Sequence, residues 1–324
     1  MAIETASTLT TAGGGALITK YYDKLFLRIA EENMVHKQLG QLNRKIGKGE
    51  GGYGSGQVQW TRFANLTEIT SGTGEGVPTT AVTLTATSVT GTTAQYDNAV
   101  AISDILAYSS FGDVMKAAIE RLAYNAGISI DSLVKTQVYN SGTAMNAQAA
   151  AHYSSVTNSS SNYLLIGTQR RAVRRLLSYN APTQADGYYV AVIHPDQLYD
   201  LQGDTTTGGW IDAMKYADSQ RLLNAEAGKL MGVRYLVSTN AATVAANTAY
   251  AASATYYVAS FFGRDAFGIT ELQGLRTYVK GFGSAGTGDP TDKIATAGWK
   301  TTFGAASLNS EFYINMMTMV SSTA

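Results

Sequence analysis

Residues 57–139 join two things that rarely sit together in a self-contained enzyme: a long Thr/Gly-rich hairpin arm and, directly after it, a helix of unusual length. Between positions 67 and 93 there are 11 threonines and only two charges, Glu68 and Glu75. Residues 57–66 alternate, with Val58, Trp60, Ala64 and Leu66 pointing one way and Gln57, Gln59, Thr61 and Asn65 the other, which is strand periodicity. Residues 71–78 form a Gly-rich tip, and Val82, Leu84 and Ala86 alternate with Thr83, Thr85 and Thr87 on the return strand. β-Branched threonine suits a pleated, half-exposed surface. Residues 95–102 continue as strand. A two-stranded hairpin with no covering layer is marginal in water, and its bare edges invite pairing with another chain. Such an arm makes sense where a second copy supplies the missing surface.

Composition agrees with that reading. The 324 residues suffice for two compact lobes or one large domain with extensions. Lys+Arg and Asp+Glu both number 24, so the formal net charge is zero. A dedicated nucleic-acid binder normally has a basic excess, and near-zero charge favours association. Charged residues make up only 15%, against roughly 25% in an average soluble domain. Tyrosine, a residue enriched in interfaces, occurs 20 times. The absence of cysteine excludes disulfides and thiolate metal sites. No N-terminal charged-then-apolar signal is present, and no apolar run approaches the ~20 residues that span a bilayer. The expected setting is a cytoplasm, where the sequons at Asn65 and Asn158 are coincidental.

Along the chain, residues 1–16 read as a loosely draped arm. Leu17, Tyr21, Leu25 and Ile29 mark a helical face running to about position 32, with a short turn at 35–42 and a flexible glycine-rich joint at 47–56. Ser110 with Asp113 has capping-box spacing. Phe111, Met115, Ile119, Leu122, Ala126, Ile130, Leu133 and Val138 then predict a helix over 111–139, roughly 43 Å long. Gly127 inside it costs about 1 kcal/mol and marks a close packing point or a bend. Residues 141–162 read as loop. A second lobe begins near Tyr163, with helix at 168–178, a strand buried on both faces at 188–193, helix from 195 to 201, helix at 222–230 and strand at 233–237. Residues 241–255 read as loop. Residues 256–262, 267–272, 276–282 and 300–319 return to β character, with a short helix at 289–295 between them.

No constellation of catalytic groups emerges. Gly49, Gly51 and Gly54 match a Gly-x-Gly-x-x-Gly pattern but precede a strand; Gly281, Gly283 and Gly286 follow one, but the helix after them is too short and no strand with a ribose-binding acid comes next. His36, His152 and His194 lack metal-ligand spacing, and His194 before Pro195 reads as a helix-start residue. No Gly-x-Ser-x-Gly elbow exists. Asp196 and Asp200, one helical turn apart, read as a solvated face or as dipole compensation. Arg170, Arg171, Arg174 and Arg175 form the sharpest charge cluster and would make one cationic stripe on a helix. Phosphate contact is one reading. Ion pairing with a neighbouring subunit is the favoured one, because the whole chain is neutral.

A series of short motifs, in order, is more specific. It begins with Glu75-Gly76-Val77-Pro78, Gln95-Tyr96, Ile102-Ser103-Asp104 and Ile130-Asp131. Gly187-Tyr188-Tyr189-Val190-Ala191-Val192-Ile193-His194-Pro195 and Tyr199-Asp200-Leu201 come next. Gly232-Val233-Arg234, Phe262-Gly263, Asp265-Ala266-Phe267-Gly268, Asp289-Pro290 and Gly298-Trp299-Lys300 close it. In this order the chain resembles the major capsid proteins of tailed bacteriophages, in the branch typified by coliphage N-four, over roughly residues 20–320. Residues 225–228 match that family's Gly-Glu-x-Gly pattern only in part, and the region around Asn162 is a place for insertions.

The resemblance implies an α+β Hong Kong 97-type capsid fold. Residues 1–52 would be an N-terminal arm and 53–100 an extended loop lying across a neighbouring subunit. Residues 101–162 would be the peripheral domain with its spine helix at 111–139, 163–255 the axial domain, and 256–324 the strands completing the peripheral domain. It implies a structural protein, not an enzyme, forming hexamers and pentamers of an icosahedral head around double-stranded DNA in the virion, after assembly in the host cytoplasm. The implied partners are copies of itself, a portal protein, a separate scaffolding protein and cement or decoration proteins. Contact with packaged DNA would be weak and non-specific, and no membrane and no cofactor are expected. An encapsulin-like shell without a genome is the alternative. No scaffold-like helical segment is expected before the capsid-like region. Arg62, Glu68, Glu75, Val77, Pro78 and the arginines at 170, 171, 174 and 175 are the candidate inter-subunit contacts. No catalytic, cofactor-binding or metal residue is expected.

Overall fold

A computed structural model describes residues 23–43, 57–64, 66–72, 74–76, 78–79, 81–110, 112–147, 159–204, 210, 226–244, 255–284 and 290–321. The expected arm at 1–16, the glycine-rich joint at 47–56, Phe111 and Val77 lie outside these residues. Helix α1 covers residues 23–32. After a 3₁₀ turn at Lys37–Leu39 comes β1 (Gln41–Leu42), then the hairpin β2 (Gln57–Phe63) and β3 (Ala86–Thr92). Strand β4 (Ala94–Ser103) leads through α2 (Asp104–Ser109) into α3 (Val114–Ser141) and β5 (Thr143–Asn146). Next come α4 (Ile166–Ser178), β6 (Tyr189–Ile193), α5 (Pro195–Gln202), β7 (Glu226–Leu230), β8 (Val233–Val237) and β9 (Thr243–Val244). Strands β10 (Tyr256–Phe262), β11 (Phe267–Lys280), β12 (Ile294–Ser307) and β13 (Tyr313–Thr318) complete the fold.

Three sheets organise these elements. A four-stranded sheet runs β1-β11-β12-β4, a seven-stranded mixed sheet runs β5-β13-β10-β6-β8-β7 with β9 on β10, and β2-β3 stand as a pair. The seven-stranded sheet is covered on both faces. Val190 and Val192 of β6 face one core with Ile119, Leu122, Ile130 and Val134 of α3. Tyr189, Ala191 and Ile193 face a second core with Ile166, Ala172 and Leu176 of α4 and Leu201 of α5. Two covered faces explain why β6 reads as an unbroken apolar run rather than an alternation. Each such fully buried aliphatic side chain contributes about 1.5–3 kcal/mol.

The long helix begins later than its spacing suggests. Asp113, not Ser110, is the cap: its side chain accepts the Lys116 N–H at 3.0 Å. Ser110 instead ends α2, a short helix missed in the sequence reading although Ser103 caps it by accepting from Leu106 N. Helix α3 has 28 residues and is about 42 Å long at 1.5 Å per residue. Gly127 is the close packing point: a Cβ there would lie 2.7 Å from the Ala30 carbonyl of α1.

Other expectations fail for non-local reasons. Positions 81–85 are not strand, because the ladder ends where Phe63 pairs with Ala86, one bond before Ala64 N–H meets Thr85 O at 3.0 Å. The expected loop after α3 contains β5, which takes its hydrogen bonds in parallel from β13. The described part of the expected helix at 222–230 is β7, paired antiparallel with β8. Met231 (φ 44°) and Gly232 (φ 80°) form the turn between them, and two positive φ values match a type I′ hairpin. The loop at 241–255 holds β9. The two strands expected over 267–282 are one, carrying register shifts around Gln273. Ile294 and Ala295, expected to end a short helix, open β12 instead.

Candidate assembly surface

The hairpin arm is rooted firmly and then left bare. Val58 and Trp60 point inward from β2 and form a small core with Ala306 of β12, flanked by Val89 and Leu308. Two glycines make room for the indole. A Cβ at Gly91 or at Gly268 would approach the Trp60 ring to 2.7 Å. Beyond Trp60 nothing in the described chain covers the arm. Phe63 is 60% exposed, Leu66 60%, Ile69 78%, Val82 67% and Leu84 55%. Scattered exposed apolar residues are ordinary, but five large ones on a single arm mark a binding surface.

A second exposed apolar group lies on α2, at Ile105, Leu106 and Tyr108, beside Ile294 of the neighbouring strand β12. The Asp104 N–H bonds to the Lys293 carbonyl at 2.9 Å, which ties α2 to the start of β12.

A buried polar cluster fixes the turn after α1, the helix α3 and the turn after β8 to one another. Asp131 of α3, fully buried, accepts the His36 backbone N–H at 2.6 Å and the Asn240 amide at 3.0 Å, and pairs with His36 Nδ1 at 2.8 Å. Lys135 donates to Asn240 Oδ1 at 2.9 Å. Burial lowers the Lys135 ammonium from its ordinary range, and the Asp131 charge opposes that shift. Three donors on one carboxylate make this a satisfied structural pair. In the sequence His36 stands alone and Asp131 is only part of an Ile-Asp motif, because their meeting is non-local.

The candidate contacts divide between two parts of the molecule. Arg62, Glu68, Glu75 and Pro78 are all exposed on the arm, and Arg62 holds its guanidinium 5.8 Å from the Phe312 ring centroid. The other four lie on α4, which covers the seven-stranded sheet. They do not form one stripe. Arg171 turns in to the carbonyls of Asn146 and Ala147, where it ties α4 to the end of β5. Arg175 stacks on Tyr179 at 4.5 Å. Arg170 and Arg174 are exposed. A helix has several faces, and the i,i+4 rule assigned two neighbouring rows to a single one.

His194 is the N-cap of α5, with Gln197 closing a capping box, as a helix-start residue should be. Among the described residues no group of three or more His, Asp or Glu side chains could hold a metal ion, and no helix is long and apolar enough to cross a membrane.

By sequence, no family model and no curated protein matches. By structure the chain is similar to phage capsids. The capsid of Ralstonia phage GP4 superposes with a TM-score of 0.70 at 12% identity, covering 88% of each chain. The capsid of cyanophage Pam1 gives 0.63 at 15% identity, covering 87% of this chain and 88% of that one. A virus-like particle from Pyrococcus furiosus gives 0.51 at 9% identity, covering 92% of this chain and 99% of that one. The chain has the α+β Hong Kong 97-type capsid fold.

Proposed function

We propose that this chain is a major capsid protein of a tailed bacteriophage, in the branch typified by coliphage N-four, whose copies form the hexamers and pentamers of an icosahedral shell around double-stranded DNA. The observation that carries the reading is the arm: rigidly rooted at Trp60 and apolar along its uncovered length. The fold, at the coverage given above, supports it. The work is binding, not catalysis. Each copy lays its arm (53–100) across a neighbour and receives another, so the contact propagates head to tail. The N-terminal arm (1–52), the peripheral parts (101–162 and 256–324) and the axial part (163–255) take the places described for the family. Portal, scaffolding and decoration proteins are its further partners, and assembly takes place in the host cytoplasm. Contact with DNA is weak and non-specific, since net charge is zero and only part of the arginine cluster is free to reach it.

The likeness to the Pyrococcus furiosus particle favours a second reading, a shell without a genome. Negative-stain electron microscopy and sedimentation of the expressed chain test both. Closed shells or capsomer rings are expected. A chain that stays monomeric even with lysate from infected cells refutes both. Nuclease-protected DNA in shells recovered from infected cells supports the phage reading, and packaged protein cargo without DNA supports the other.

A further inference from the structure

Head-to-tail contact through the arms accounts for rings but not for a closed shell. A heterologous contact closes copies into a ring or runs them into an open filament. Joining rings to one another takes a second surface, and it has to lie outside the arm.

Helix α2 stands clear of the rest of the chain. None of its six residues is buried, although a helix this short depends on packing for its stability. Local bonds hold it in place. Ser103 accepts the Leu106 N–H at 3.4 Å, the Asp104 N–H meets the Lys293 carbonyl at 2.9 Å, and the Ser110 N–H returns to the Leu106 carbonyl at 3.0 Å. Its largest side chains stay in solvent, Ile105 at 75% and Tyr108 at 87%. Three residues apart, these two share one side of the helix. Ile294 of β12, 44% exposed, lies at its base through the pairing with Ser103. Tyrosine is a frequent anchor of protein interfaces, and one buried ring takes about 150–250 Å² out of water.

Charge narrows the occupant to a second copy. Helix α2 carries one charge, Asp104, and the residue just before β12 carries another, Lys293. The Asp104 carboxylate accepts the adjacent Ile105 N–H at 2.7 Å. Neither side chain has an ion-pair partner among the described residues. An apolar centre with one charge of each sign at its edge is complementary to itself. Turned about a two-fold axis, it sets acid against base and apolar side chain against apolar side chain. DNA would find a single lysine there, and the apolar side chains offer nothing to a phosphate.

We propose that the α2 patch is an isologous two-fold contact between copies in neighbouring rings, in which Ile105 and Tyr108 pack on their counterparts and Asp104 pairs with Lys293 of the partner subunit. The proposal rests on the capsid reading and adds to the joint within a ring a joint between rings. The two joints differ in symmetry: the arm runs head to tail, whereas α2 meets its own copy.

The chain lacks cysteine, so a single introduced thiol is a clean probe. Ile105→Cys and Tyr108→Cys are made separately in the full chain, assembled, and treated with a flexible bis-maleimide. A two-fold contact sets each position against itself, so one cysteine is expected to give linked pairs, and nothing longer, on a denaturing gel. Shells in which neither variant gives pairs overturn the two-fold contact and leave the capsid reading standing. A wild-type chain that forms neither rings nor shells removes both. Ile105→Ser combined with Tyr108→Ser supplies a second readout. Both side chains already face solvent, so the melting temperature of the free chain is expected to move by no more than about 2 °C. Electron micrographs are expected to keep rings and lose closed shells. Normal shells, or the loss of rings as well, overturn the assignment. Asp104→Lys and Lys293→Glu are each expected to lower the shell yield about two- to fivefold, as for one exposed ion pair, and their combination to restore it. A combined variant that stays low overturns the pair.

Discussion

The β10–β13 ladder and the β2–β3 ladder are both antiparallel and of similar length. In β13 every residue is buried, and in β10 all but Tyr257. In the arm only Val58, Trp60 and Gly91 are buried, all near the root. The first pair is clamped between two cores, so its stability comes from its own chain. The second has a three-residue core at one end and bare apolar residues beyond it. One sequence thus holds a part that folds for itself and a part that the described residues leave uncovered.

The largest way to break this contrast is to replace residues 66–83 with a short Gly/Ser link, keeping both strands of the root. Assembly is expected to vanish from electron micrographs while the melting temperature of the free chain moves by no more than about 2 °C. A large fall in melting temperature would show that the distal arm does stabilise its own chain. Phe262→Ala tests the opposite region. Its ring lies 5.6 Å from Phe267 and 6.3 Å from Tyr313, fully inside the core. Urea unfolding is expected to show a loss of about 3–5 kcal/mol.

Gly127→Ala is a smaller probe. Alanine favours helix by about 1 kcal/mol, but its methyl would press on the Ala30 carbonyl. Overpacking is expected to win, with a net loss of about 1–2 kcal/mol in the same assay. Tyr235→Phe is the mildest. Its hydroxyl is buried without a partner among the described residues, so removing it is expected to change stability by less than about 1 kcal/mol, towards gain. Burial raises the Tyr235 phenol well above 10.0. The folded chain therefore keeps a proton that the unfolded chain releases. That contribution is complete below pH 10 and declines as pH rises beyond it. Lys135, lowered by burial, acts in the opposite sense, but it is partly solvated and weaker. Melting curves above pH 10 should fall steeply for the wild type and less steeply for Tyr235→Phe.

Legibility in the sequence followed the same division. The run from Tyr189 to Ile193 announced a strand between two layers, and the spacing from Met115 to Val138 announced a long helix. Both signals are local, because burial repeats with the period of the element. The residues before Met231 misled because Ala, Leu and Glu favour helix, whereas the pairing that makes them β7 comes from β8. The Met-Gly pair at 231–232 was the available clue. The arm was visible as a feature, but its anchoring was not. Trp60 is fixed by Gly91, Gly268 and Ala306, distant in sequence and unremarkable in it. The arginine cluster was the reverse case, conspicuous in sequence and then divided by α4 between inner and outer faces.

The seat for Trp60 has a consequence in time. A ribosome makes the arm early, whereas Gly268, Ala306 and Leu308, which hold its root, come far later, and so does the strand β13 that sits inside the seven-stranded sheet. A nascent chain therefore has an arm but nothing to brace it. Bracing waits until the strands that complete the cores have also left the ribosome, so the arm gains its stiff root only when the body of the chain is finished.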